Sequence, residues 1–273
     1  MSKKRIDAVL IERGLATDDA QARGLILAGQ VSVDGAVTSK VGALVSEMAQ
    51  VIVRPTAAYV SRGGVKLAAA LDTFGIAVQG LMAADVGAST GGFSDCLLQR
   101  GAAHVFAIDV GYGQLAWTLR RDARVTVLER TNVRYLSRLP GDRLVDLVTI
   151  DVSFIGLKLV IPAVLPWLHG PAGSIVALIK PQFEASRHDV GRGGVIRESR
   201  VHRAVLSQAL TWAQSQQLDV LGLMRSPITG PAGNSEFLVW LRPGSGAGET
   251  AALIEGCLAA EQAPRLERPE QTE

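Results

Sequence analysis

The stretch "DVGASTGGF", residues 85–93, follows a run of small apolar residues and precedes an apolar, helix-like segment. A glycine-rich turn between a strand and a helix brings backbone up against a small ligand. Three ligands compete for such a turn. A phosphate-binding P-loop needs a lysine after its second glycine, and none is present. A dinucleotide fingerprint sets glycines at its first, third and sixth positions. Here Gly87, Gly91 and Gly92 occupy the first, fifth and sixth, leaving Ser89 where a pyrophosphate would have to approach. S-adenosyl-L-methionine carries no pyrophosphate and remains the candidate. In that reading Asp85 meets its amino end, and Gly87, Ala88, Ser89, Gly91, Gly92 and Phe93 form the contact loop. Asp109 in "FAIDVG" lies 22 residues after Gly87 and is placed to accept from a ribose diol. Asn132, in "LERTN", would meet the adenine. Taken alone, the loop also reads as a tight strand–helix turn, with Asp109 as a cap and Asn132 as an ordinary loop residue. The acid at the next strand end tips the balance to the cofactor.

Two lysines and two carboxylates converge on the same edge. Asp151 ends "VDLVTID", Lys180 ends "SIVALIK", Glu236 opens "EFLVWL", and Lys66 sits on the helix before the first strand. Singly, each reads as a solvated strand end or a surface ion pair. Lys180 is harder to dismiss, because it follows apolar residues and precedes a proline. Together they suit methylation of a weakly acidic hydroxyl. A sulfonium is already a strong electrophile, so no metal is required, and the difficulty is removing the proton. A free lysine, with a pKa of about 10.4, is protonated at neutral pH. A nearby Lys66 cation and partial burial are expected to lower that value for Lys180 and make it a base. Asp151 and Glu236 would orient the ammonium groups.

The elements that must position these residues alternate. Strands are expected at "GLMAADV", "HVFAIDV", "RVTVLE", "LVDLVTIDV", "SIVALIK", "DVLGLM" and "EFLVWL", with helices between most of them. Apolar, β-branched strands separated by helices form a parallel sheet covered on both faces. The last two strands are joined by "RSPITGPAGNS", too short for a helical crossover, so they pair antiparallel. The fold class is therefore α/β, a Rossmann-like methyltransferase sheet of six parallel strands and one antiparallel. Residues 1–53 read as a separate α+β module: two helices ending at Gly14 and Gly29, then short strands with a turn at Asp34-Gly35. Residues 54–64 read as a linker, 65–243 as the main domain, and 244–273 as a short helix with a disordered tail. There are no internal repeats.

With 48% apolar and 20% charged residues, the 273-residue chain is expected to be soluble and globular. A formal charge of +2 leaves nucleic-acid binding to local clustering. Cys96 and Cys257 form no CxxC pair, which argues against a disulfide framework or zinc site and fits a reducing cytoplasm. "MSKKRIDAVLIERGL" meets Asp7 and Glu12 before any signal-like run develops. The apolar segment 156–168 carries Lys158, Pro162 and Pro166 and is too short to span a bilayer.

The segments "YVSRGGVKL", "DVGASTGGFSDCLLQRGAAHVFAIDVGYGQLAW", "LERTN", "DVSFI", "IKPQFE" and "GPAGNSEFLVWL" resemble the TlyA family, ribosomal RNA 2′-O-methyltransferases historically called haemolysins. The resemblance runs from about Arg5 to Arg242. It implies an FtsJ-like catalytic domain in which Lys66, Asp151, Lys180 and Glu236 match a Lys-Asp-Lys-Glu tetrad. It also implies that residues 1–53 are an RNA-binding module of the ribosomal-protein kind, and that the substrate is a cytidine ribose in ribosomal RNA within ribosomal subunits. Phosphate contacts would then fall to Lys3, Lys4, Arg5 and Arg23 in the module, and to Arg62 and Arg192 beyond it. Two departures stand out: Asp18-Asp19 where a serine and a basic residue are expected, and Ala57 and Tyr59 where some relatives carry an arginine and a tryptophan. Basic residues elsewhere offset this, in 54–71 and in the five arginines of 186–203. The rival readings are a membrane-lytic protein, opposed by the lack of a signal, a span or a long amphipathic basic helix, so that no stable membrane association is expected, and an RNA-binding assembly factor without catalysis. A small-molecule methyltransferase would leave the N-terminal module unexplained.

Overall fold

The computed structural model describes residues 3–53, 58–186 and 189–262, and the chain divides into two compact units, residues 1–58 and 59–273. The first unit runs β1 (Lys3–Arg5), α1 (Ile6–Glu12), α2 (Asp19–Leu27), β2 (Val31–Val33), β3 (Ala36–Val37), β4 (Leu44–Ser46) and β5 (Val51–Val53). The spacing of Ile6, Leu10, Ala22 and Ile26 turns one face of each helix onto a shared core with Val31. Asp18 has a local structural role, since its carboxylate accepts from the Gln21 backbone N–H at 2.8 Å and caps α2. β2 pairs with β3 across the Asp34-Gly35 turn and with β5 on its other side. The β1–β4 ladder, which pairs Lys3–Arg5 with Leu44–Ser46, was not among the strands expected from the sequence.

The second unit runs α3 (Gly63–Phe74), β6 (Met82–Val86), α4 (Gly92–Gln99), β7 (His104–Ile108), α5 (Trp117–Arg120), β8 (Val125–Leu128), β9 (Leu147–Ile150), α6 (Leu157–Val164), β10 (Ser174–Ile179), α7 (Pro181–Glu184), α8 (Ser199–Ser215), β11 (Leu218–Arg225), β12 (Phe237–Pro243) and α9 (Thr250–Gln262). Helix α3 begins inside the expected linker. Residues 263–273, expected to be disordered, lie outside the described residues. The seven strands form one sheet in the order β11-β12-β10-β9-β6-β7-β8. β12 is antiparallel to both β10 and β11, and the other pairings are parallel.

Strand alternation explains why the sheet is covered twice. Along β10, Ile175, Ala177 and Ile179 face a core built with α6, α8 and α9, while Val176 and Leu178 face another built with α3, α4 and α5. The chain steps from β6 to β7 and β8 on one side, then returns to β9 and β10 on the other. A crevice therefore opens at the carboxyl ends of β6 and β9, the place where such sheets bind ligands.

Candidate active site

At that crevice lies an open cleft of about 1100 Å³, with a second of about 510 Å³ beside it. Gly87, Ser89, Asp151 and Ser153 line both, so the two are one continuous site. Gly87 turns the chain out of β6 with φ of +86°, and a Cβ there would overlap the Asp151 carbonyl oxygen. Only glycine meets both demands.

Asp109, at the tip of β7, holds the loop from the other side. One carboxylate oxygen accepts from Ser89 N at 2.7 Å and the other from Gly111 N at 2.6 Å. Each keeps a further acceptor site, and the residue lines the larger cleft. Asn132 lines the same cleft and accepts from Arg134 N through its amide oxygen at 3.1 Å. Ala88 and Phe93 line the smaller cleft and are almost wholly buried.

The four charged residues meet in the smaller cleft as two ion pairs. Lys66 Nζ, from α3, lies 2.5 Å from Glu236 Oε2, both side chains being buried. Lys180 Nζ, just past β10, lies 2.6 Å from Asp151 Oδ1 and donates to Ser153 Oγ at 3.0 Å. The register Ile179↔Phe237 explains the convergence: antiparallel pairing sets the start of β12 beside the end of β10.

Asp85 is a correction. It was expected to meet the ligand, but it is fully buried and lines neither cleft. Its Oδ2 accepts from Ser94 N at 2.8 Å and Ser94 Oγ at 2.7 Å, and its Oδ1 from Thr149 Oγ1 at 3.2 Å. It ties the first turn of α4 to β6 and β9. Burial, reinforced by the neighbouring Asp151 charge and only partly offset by these hydrogen bonds, pushes its carboxyl up to about 7. Gly91 also differs from expectation: it lines neither cleft, and a Cβ there would overlap Leu119, so it serves packing within the protein. Gly92 lines the smaller cleft, and a Cβ there would also overlap Ser61 Oγ.

A sequence profile of the FtsJ-like methyltransferase family matches residues 59–243, a span that contains every residue of this site. The 16S/23S rRNA (cytidine-2'-O)-methyltransferase TlyA of Mycobacterium tuberculosis is 48% identical over 88% of this chain and 90% of its own. The chain belongs to the TlyA family of FtsJ-like methyltransferases. Hemolysin A of Brachyspira hyodysenteriae is 37% identical over 86% of this chain and 98% of its own. A solved chain from Streptococcus thermophilus, also described as a hemolysin, superimposes with a TM-score of 0.73 at 39% identity, covering 95% of this chain and 96% of that one. Among the described residues no helix is long and apolar enough to cross a membrane, and no cluster of His, Cys, Asp or Glu is disposed to hold a metal ion.

In this TlyA-family chain the basic residues expected at RNA are partly engaged within the protein. Lys4 pairs with Glu12 at 2.9 Å and Glu47 at 3.1 Å, Arg5 with the buried Asp7 at 2.6 Å, and Arg23 loosely with Asp19 at 3.8 Å. Such exposed cations exchange partners at little cost. Lys3 is exposed on β1. Arg62 donates to the Thr229 carbonyl and lines the smaller cleft. The side chain of Arg192 lies outside the described residues. Sequence reasoning missed Ser153, Gln114, which bonds Ser89 Oγ at 3.3 Å, and Gly230, whose missing side chain leaves room for Glu236. The "DVSFI" motif carried Ser153, but a serine two residues past an acid gives no signal of its own.

Proposed function

We propose that this protein is an S-adenosylmethionine-dependent 2′-O-methyltransferase that modifies a cytidine ribose of ribosomal RNA in ribosomal subunits, in the cytoplasm. The observation that carries the reading is Lys180, held by Asp151 and Ser153 at the rim of a cleft that also holds the buried Lys66–Glu236 pair. The name borne by the Mycobacterium tuberculosis relative supplies the substrate class.

The residues fit the donor. The Gly87–Ser89 backbone, Asp109 and Asn132 would hold S-adenosylmethionine, with a carboxylate able to accept from a diol and apolar walls such as Ile108, Val133 and Ile155 around it. When bound, it supplies a methyl group activated by a sulfonium. Lys180, neutral, takes the proton of the 2′-hydroxyl onto Nζ. The oxygen so freed of its proton would accept the methyl group, and the donor would leave as the neutral thioether. Lys66 and Glu236 form a fixed, mutually neutralised wall beside the reacting hydroxyl. Much of the acceleration would come from the cleft residues holding hydroxyl and donor in a fixed orientation. The unit 1–58 and the exposed cations Lys3 and Arg62 provide phosphate contacts that find the target among many equivalent riboses.

The test is transfer of a tritiated methyl group to ribosomal subunits, followed by mass mapping of the RNA. Incorporation at one cytidine ribose, absent with Lys180→Ala, is expected. Absence of label on ribosomal RNA, whole or in subunits, would overturn the reading.

A further inference from the structure

We infer that Ser153 is a positioning residue that aims Lys180 at the hydroxyl it deprotonates, an inference that rests on the base role given to Lys180 above. The tetrahedral Nζ has three directions besides its own chain. Ser153 Oγ at 3.0 Å accepts along one of them, whereas Asp151 Oδ1 lies 2.6 Å from Nζ as an ion-pair contact that is not aligned as a hydrogen bond. A neutral amine carries two N–H groups and one lone pair. Ser153 fixes one N–H and the Asp151 oxygen repels the lone pair, so the lone pair is directed away from both, and Lys180 lines the cleft from which the target must come. Without Ser153, no hydrogen bond among the described residues fixes the rotation of the amine, and the lone pair divides among the directions that Asp151 does not oppose.

The backbone around Ser153 is built for this placement. Asp151 N bonds the Val86 carbonyl at 2.9 Å, carrying the β6–β9 pairing one residue past the end of β9. Phe154, directly after the serine, is 91% exposed and sits at φ of +65°, a left-handed conformation uncommon for a bulky side chain. The Phe154 ring lies 5.0 Å from that of Phe183, whose centroid is 6.0 Å from Lys180 Nζ. The chain bends over residues 153–155, and the Ser153 hydroxyl lies beside the amine. The groups facing Lys180 are thus Asp151 and Ser153 from the end of β9 and Phe183 from α7, with Lys66 and Glu236 across the smaller cleft.

The experiment compares full-length Ser153→Ala and Ser153→Thr with the wild type on ribosomal subunits, measuring kcat and both KM values, with circular dichroism as a folding control. Ser153→Ala is expected to lower kcat about tenfold, in keeping with one lost hydrogen bond at the transition state. KM for S-adenosylmethionine and for the subunits should stay within twofold. Ser153→Thr, which keeps the hydroxyl, should recover most of the rate. Wild-type kcat in Ser153→Ala, a loss confined to either KM, or a threonine variant no faster than alanine would each overturn the inference. Lys180→Arg, assayed alongside, separates the two levels. If it remains active, the base role fails and Ser153's role fails with it. If it is dead while Ser153→Ala is unaltered, only the role of Ser153 fails.

Discussion

Lys66 Nζ and Glu236 Oε2 lie 2.5 Å apart with only 8% and 1% of their side chains exposed. Removing one member of a buried pair strands the other charge and costs roughly 3–5 kcal/mol. Lys66→Met and Glu236→Leu should each lose stability of that order in urea denaturation, and the double variant should regain much of it. Methyl transfer should stay impaired in all three. Additive losses in the double variant would mean that the two groups do not depend on each other.

Gly87→Ala tests how the loop meets the end of β9. Alanine at a left-handed position costs about 1–2 kcal/mol by itself. Gly113, with φ of +75° and open space around its Cβ direction, is the control, because Gly113→Ala carries only that cost. Gly87→Ala must also displace the Asp151 carbonyl, so it should be the less stable variant and lose cofactor affinity in calorimetry. Equal behaviour of the two would remove the contact with Asp151 from the explanation.

Asp109→Ala removes the acceptor for two backbone N–H groups and the carboxylate on the cleft wall. Cofactor binding should weaken by about 1–3 kcal/mol, the range for hydrogen bonds to a charged group. Calorimetry giving an unchanged affinity would move the ribose site elsewhere.

Asp85 gives the fold a pH dependence of defined sign. In the native state it keeps its proton up to about pH 7, whereas its ordinary value is 3.8. Between those values the native state binds more protons than the unfolded chain, so this group's contribution to stability falls as pH rises through that window. At about 1.4 kcal/mol per unit the effect amounts to a few kcal/mol. Asp85→Asn should lack this decline. The stability of the variant minus that of the wild type, from urea denaturation, should therefore rise between about pH 4 and 7. A flat difference would mean that Asp85 ionises at its ordinary value.

Asp85 also marks where the sequence stops being informative. Its position at a strand tip before a glycine loop is the pattern of a ligand contact. Whether the side chain faces the crevice or the core depends on Ser94 and Thr149, the latter 64 residues away. The strands were legible because β-branched runs separated by helices leave few alternatives. The convergence of Lys66, Asp151, Lys180 and Glu236 was legible because antiparallel β12 must begin at the catalytic edge. Their division into Lys66–Glu236 and Lys180–Asp151 was not, since that depends on side-chain reach between elements far apart in the chain. Gly91 misled for a related reason. A glycine signals close approach, but not whether the approaching atom belongs to a ligand or, as here, to Leu119.

The most direct test of Lys180 as the base is single-turnover methyl transfer by Lys180→Arg on ribosomal subunits. A guanidinium can keep the contact with Asp151 but holds its proton at any accessible pH. The variant should bind S-adenosylmethionine and subunits nearly as the wild type does, because the lost interaction is made only in the transition state. No methyl transfer above the Lys180→Ala background is the expected result. Substantial single-turnover transfer by Lys180→Arg would contradict it, leaving Lys180 as a fixed positive charge and the proton to another acceptor.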